Sequence, residues 1–81
     1  MENLNWPLSA IVNTAIELLN TGTSSASTGE RIAAAFVLND MFYLPVNYPD
    51  VVEAWERLGS EWQGHVKTIK QNYMHLIEGG G

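Results

Sequence analysis

The chain contains no cysteine among its 81 residues. This absence excludes a disulfide framework, a zinc site built on thiolates and a thiol nucleophile. It fits a reducing compartment, where disulfides are rare, and we expect the protein to be cytoplasmic. Long apolar runs are lacking too, because Ile32–Leu38 is far shorter than the ~20 residues that a membrane-spanning helix needs. We therefore expect no membrane partner.

Basic residues are scarce as well. Four lysines and arginines stand against nine acidic residues, which gives a net charge of −5. A chain of this charge is repelled by nucleic-acid phosphates, so we do not expect it to bind DNA or RNA directly. The acidity is concentrated in residues 40–61, where five acidic residues accompany one arginine for a local balance of −4. A protein with a basic surface is the kind of partner that this charge favours.

Hydrophobic periodicity predicts four helices, and no strand pattern of comparable strength is present. The predicted helices span about 7–20, 27–42, 49–58 and 60–77. Two capping-box patterns, Ser27 with Glu30 and Ser60 with Gln63, mark the starts of the second and fourth. The prediction is an all-α fold, a compact four-helix single domain over residues 1–78, followed by a disordered glycine tail at 79–81.

The second predicted helix is unusual because its body, Ile32–Leu38, is apolar on every side. Such a helix is generally buried in its own fold or covered by a partner. We interpret it as the central helix of the domain. The alternative is self-association through the Ala33–Val37 side, which would make the protein a homodimer or an assembly subunit.

No catalytic motif can be recognised, so we predict that the protein is not an enzyme and uses no cofactor or metal. The best candidate for chemistry is a polar flank on the last predicted helix: Glu61, His65, Thr68, Asn72 and His75. Glu61 and His65 are one turn apart and could form an acid–base pair or bind a metal. His65 and His75 are about 15 Å apart along the helix and cannot share one ion. A metal site would need a third ligand from another helix, for which Glu17 and Asp40 are candidates.

Aromatic residues cluster between Phe36 and Tyr73. We assign most of them to the core, namely Phe36, Phe42, Trp55, Trp62 and Tyr73. Tyr43 and Tyr48 differ because they lie on or beside the proline-flanked segment 44–49, and rigid aromatic side chains often anchor protein contacts. The alternative is that both tyrosines clamp this loop onto the domain.

Acidic residues flank the same loop. Asp50, Glu53 and Glu56 recur at three-residue spacing and therefore share one face of a helix. The residues predicted to contact a partner are Asp40, Tyr43, Tyr48, Asp50, Glu53 and Glu56. The alternative is an ordinary polar helix face on which Arg57 neutralises Glu53 one turn away.

These observations favour a small acidic, non-catalytic interaction module that acts as an adaptor or inhibitor of a larger protein. A sharper hypothesis is an inhibitor that occupies a basic, nucleic-acid-binding surface, by analogy with inhibitors from mobile genetic elements. A homo-oligomeric structural subunit is the second hypothesis. A small metal-dependent or acid–base enzyme that uses Glu61 and His65 is the third.

Overall fold

The structure is a computed structural model that describes residues 4–78. Helices account for 73% of these residues and none of them lies in a strand, which confirms the predicted all-α class. The four helices are α1 (Leu8–Thr21), α2 (Thr28–Leu38), α3 (Val51–Asn72) and α4 (Met74–Glu78), with a 3-10 turn at Met41–Tyr43. No helix among residues 4–78 is long and apolar enough to cross a membrane. The predicted glycine tail, residues 79–81, lies outside the described residues.

Helix α2 lies at the centre of the domain. Its predicted capping box forms: the Ser27 hydroxyl accepts from the Glu30 N–H at 3.2 Å, and the Glu30 carboxylate accepts from the Ser27 N–H at 3.1 Å. The residues from Ile32 to Ala35 are completely buried, and α2 packs against both α1 and α3. The Ala33–Val37 side is therefore covered within one chain, except at the partly buried Phe36.

Helix α2 ends at Leu38 instead of continuing to Phe42 as predicted, because Asn39 adopts a left-handed conformation with φ 56°. The Asn39 N–H donates to the Phe36 carbonyl and the Asp40 N–H to the Ala35 carbonyl, both at 3.1 Å. This pair of bonds is the Schellman motif, which satisfies the last carbonyls of a helix. The chain is consequently turned out of the α2 axis immediately before Met41–Tyr43.

The predicted third and fourth helices are two arms of α3, residues 51–58 and 60–72, on either side of a bend. Gly59 forms this bend with φ 76° and ψ 164°, a backbone conformation that is essentially restricted to glycine. The Gln63 side chain does not reach back to Ser60 as a capping box requires. Instead, its amide donates to the Trp55 carbonyl at 2.8 Å, which satisfies an acceptor near the end of the first arm.

The core is built from the apolar faces of all four helices. Its largest completely buried side chains are Ile11, Leu18, Ile32, Val37, Val66, Ile69 and Ile77. Aromatic rings close the edges, as where Phe36 and Trp55 meet edge-to-face with their centroids 4.9 Å apart. Phe42 departs from the predicted interior position, since its side chain is exposed to solvent.

Replacing Gly59 tests the bend in α3. Gly59→Ala should lower the free energy of unfolding by about 1–3 kcal/mol, because alanine is strained at this φ and ψ. Apart from the neighbouring residues and the adjacent helical backbone, no atom lies within 4 Å of a β-carbon built at this position, so the cost is local backbone strain and not a clash with a packed side chain.

Gly64 provides the matched control within the 60–72 arm, where a β-carbon also meets nothing within 4 Å. Its backbone is helical, so Gly64→Ala should raise the free energy of unfolding by about 0.5–1 kcal/mol. Urea denaturation followed by circular dichroism measures both variants. Changes of the same sign at the two glycines would contradict the bend.

Candidate interaction surface

The six predicted contact residues fall into two groups in the structure. The side chains of the four acidic residues, Asp40, Asp50, Glu53 and Glu56, are exposed to solvent. Tyr43 and Tyr48 are partly buried and pack against the core. The tyrosines therefore hold the loop on the domain, as the alternative interpretation proposed, and the carboxylates are the accessible part of the set.

A network of short-range hydrogen bonds fixes the turn that follows α2. The Asp40 carboxylate accepts from the Phe42 N–H at 3.0 Å. The Tyr43 N–H donates to the Asp40 carbonyl at 3.2 Å, and the Leu44 N–H donates to the Met41 carbonyl at 3.1 Å. These three bonds set the direction in which the Phe42 side chain leaves the backbone.

The loop beyond this turn is attached to the domain on its inner side. Leu44 and Tyr48 pack against the core, and Pro45 is buried. The Tyr48 N–H donates to the Pro45 carbonyl at 2.9 Å, which closes a tight turn around residues 46 and 47. The outer side of the loop is thereby presented on a fixed scaffold.

Four large apolar side chains are exposed to solvent in this region. Phe42 is 85% exposed, Val46 96% and Val52 62%, and Val51 is 41% exposed. Sequence reasoning missed Phe42 because an aromatic residue after an apolar run is usually part of the core. Asn39 was the available signal, since asparagine favours the left-handed conformation that ends a helix.

The nearby carboxylates are not neutralised by the chain itself. In the part of the chain that the structure describes, no lysine or arginine nitrogen lies within 4.0 Å of any of the four. Arg57 therefore does not pair with Glu53, in contrast to the sequence interpretation. Asp50, at the start of α3, makes no side-chain capping bond either. We name the combined feature the 40–56 surface, and it consists of Asp40, Phe42, Val46, Asp50, Val52, Glu53 and Glu56.

The polar flank proposed for chemistry is less well assembled. The His65 Nε2 atom lies 3.8 Å from the Glu61 carboxylate, too far for a hydrogen bond, and it is buried without a hydrogen-bond partner. His75 lies on α4, beyond the end of α3, so the flank does not continue along one helix. One oxygen of the Asp40 carboxylate accepts from the Phe42 N–H. Residues 4–78 contain no group of three or more acidic, histidine or cysteine residues that could hold a metal ion.

Two substitutions at Asp40 separate its structural role from its charge. Asp40→Ala removes the acceptor for the Phe42 N–H and should lower the free energy of unfolding by about 1 kcal/mol. Asp40→Asn keeps an oxygen in the same place and should lower it much less. Thermal unfolding at neutral pH distinguishes the two, and equal losses would show that the charge of Asp40, not its capping bond, supports the turn.

No protein-family model matches this chain, and no curated protein or solved structure is significantly similar to it.

Proposed function

We propose that this protein is a small non-catalytic interaction module that acts as an adaptor or inhibitor of a larger protein with a basic surface. The observation that carries the proposal is the composition of the 40–56 surface. Exposed apolar side chains alternate there along the chain with carboxylates that have no lysine or arginine nitrogen within 4.0 Å in residues 4–78. Apolar anchors surrounded by charge are typical of protein interfaces.

The Phe42 side chain does little to stabilise the isolated domain. Because it is 85% exposed, it contributes little of the roughly 1.5–3 kcal/mol that a fully buried large apolar side chain provides. Val46 and Val52 are in the same situation. Clustered exposed apolar residues with a polar rim mark sites of interaction, and a binding partner would bury the area that folding leaves in water.

The charges of the surface specify the kind of partner. Unpaired carboxylates accelerate the encounter with a positively charged protein and disfavour a negatively charged one. An inhibitor that covers a basic nucleic-acid-binding surface is one form of this function, because its carboxylates would meet the lysines and arginines that otherwise contact phosphates. An adaptor that docks on a basic surface without competing with nucleic acid is the other form.

Self-assembly is less compatible with the same surface. A two-fold symmetric contact uses the same patch on both copies, so Asp50, Glu53 and Glu56 of one copy would approach those of the other. Like charges placed opposite each other cost free energy. With the Ala33–Val37 side also covered within the chain, except at the partly buried Phe36, a different protein is the better candidate for the partner.

Affinity capture tests the proposal. The tagged protein is incubated with a nuclease-treated lysate of the cells in which it is made, and co-purifying proteins are quantified by mass spectrometry. We expect one protein near stoichiometry. The double variant Glu53→Gln/Glu56→Gln should recover it roughly fivefold less well, because each exposed ion pair contributes up to about 1 kcal/mol.

The double variant Glu61→Gln/Glu78→Gln is the matched control. It removes the same charge from exposed residues outside the 40–56 surface and should leave recovery unchanged. Equal losses in the two variants would show that only net charge matters. Recovery of nothing except the protein itself would contradict the interaction function.

A further inference from the structure

The charge of the 40–56 surface limits what can cover it. Nucleic-acid backbones and anionic lipid surfaces carry the same sign as Asp40, Asp50, Glu53 and Glu56, and so does a second copy of the chain. A protein segment that contains lysine or arginine is complementary to these carboxylates, each of which lacks a lysine or arginine nitrogen within 4.0 Å in residues 4–78. The same segment must also offer apolar side chains to Phe42, Val46 and Val52.

The small size of the 40–56 surface further limits the kind of partner that can cover it. The three most exposed apolar side chains of the surface, Phe42, Val46 and Val52, lie within eleven residues of chain. A stable contact between two folded proteins uses about 20–30 residues on each partner. The 40–56 surface consists of seven residues, and a short segment of chain is sufficient to cover it.

We infer that the 40–56 surface binds a short basic amphipathic segment of a partner protein, with Phe42 as the anchor. This inference rests on the interaction function proposed above and specifies the chemistry of its partner. Apolar side chains of the segment surround the Phe42 ring and contact Val46 and Val52, and its lysines and arginines contact Asp50, Glu53 and Glu56.

Phe42 is suited to be the anchor because its backbone and ring are already positioned. Its N–H is held by Asp40 at 3.0 Å. Its ring lies edge-on to that of Tyr43, with the centroids 5.8 Å apart, and Tyr43 packs on the core. A side chain that is ordered before binding loses less entropy when the partner arrives.

The start of α3 places carboxylates, which are complementary to a basic segment, beside the exposed apolar side chain of Val52. Val52 and Glu56 are one helical turn apart, and both are exposed. Asp50 and Glu53 extend the acidic part towards the loop. A segment that crosses Phe42 and Val52 therefore meets carboxylates on the same helix, which sets the register between its apolar and basic residues.

A phage-displayed library of random dodecapeptides is a suitable probe, selected on the immobilised full-length protein at ~0.1 M salt, where surface charges still interact over about 10 Å. Enriched peptides should combine lysine or arginine with large apolar residues. Phe42→Ser should weaken binding of synthetic copies of these peptides at least tenfold, or about 1.4 kcal/mol. Leu19→Ser, at an exposed apolar residue on α1, should leave their affinity unchanged.

Circular dichroism of Phe42→Ser provides the folding check, and its spectrum should match that of the unsubstituted protein because the side chain is exposed. Enrichment of acidic or uncharged peptides would overturn the inference. So would peptides whose affinity Phe42→Ser leaves intact, or a dimer in sedimentation experiments that Phe42→Ser dissociates.

The outcomes also separate this inference from the proposed function. If a captured cellular protein depends on Glu53 and Glu56 but binds Phe42→Ser normally, the anchor is wrong and the interaction function stands. If that protein is captured while the library yields no ligand, the short-segment inference fails alone. If neither experiment gives a ligand, both fail.

Discussion

The burial of α2 is the constraint on which the rest of this structure depends. The buried body of α2 ends at a defined residue, because its last carbonyls are paired within the chain. Asn39 and Asp40 satisfy two of these carbonyls through backbone bonds. The Lys70 ammonium donates a further bond to the Phe36 carbonyl from the far arm of α3, at 3.1 Å. The end of α2 is thereby fixed, and so is the direction in which the chain leaves it.

The packing of α2 determines the position of both parts of the 40–56 surface, the loop after α2 and the start of α3. The chain that leaves α2 is turned outwards, so Phe42 and Val46 lie in solvent while Tyr43 and Tyr48 reach back to the core. The first arm of α3 packs on α2 where Trp55 meets Phe36 and buries Ala54 and Leu58, while Val52, Glu53 and Glu56 are exposed. Gly59 then bends the chain so that the second arm can also contribute to the core. The exposed surface is therefore a consequence of how the helices pack to form the core.

Features determined by neighbouring residues could be predicted from the sequence. The capping box at Ser27 and Glu30 formed as expected, because its hydrogen bonds join residues three apart. The similar pattern at Ser60 and Gln63 did not form, since the bend at Gly59 leaves the Trp55 carbonyl within reach of Gln63. The same local motif thus gave opposite outcomes, and tertiary geometry decided between them.

Side-chain exposure and pairing were harder to predict. Phe42 follows an apolar run, which predicts an interior position, but the left-handed Asn39 ends the helix first. Glu53 and Arg57 have the right spacing for an ion pair and do not form one. Such a pair contributes only about 0.2–0.5 kcal/mol on a helix surface, too little to determine where two long side chains lie. The carboxylates of the candidate surface could therefore be predicted from the sequence, whereas its apolar side chains were identified only from the fold.

Photo-crosslinking from position 42 tests the central claim most directly. The photoreactive amino acid benzoylphenylalanine is introduced at position 42, or at position 19 as a control, and the cells that make the protein are irradiated. We predict one dominant cross-linked protein from position 42, attached through a segment that carries lysine or arginine beside apolar residues, and none from position 19. The same products from both positions, or no product from position 42, would contradict the assignment of Phe42 to a partner-binding surface.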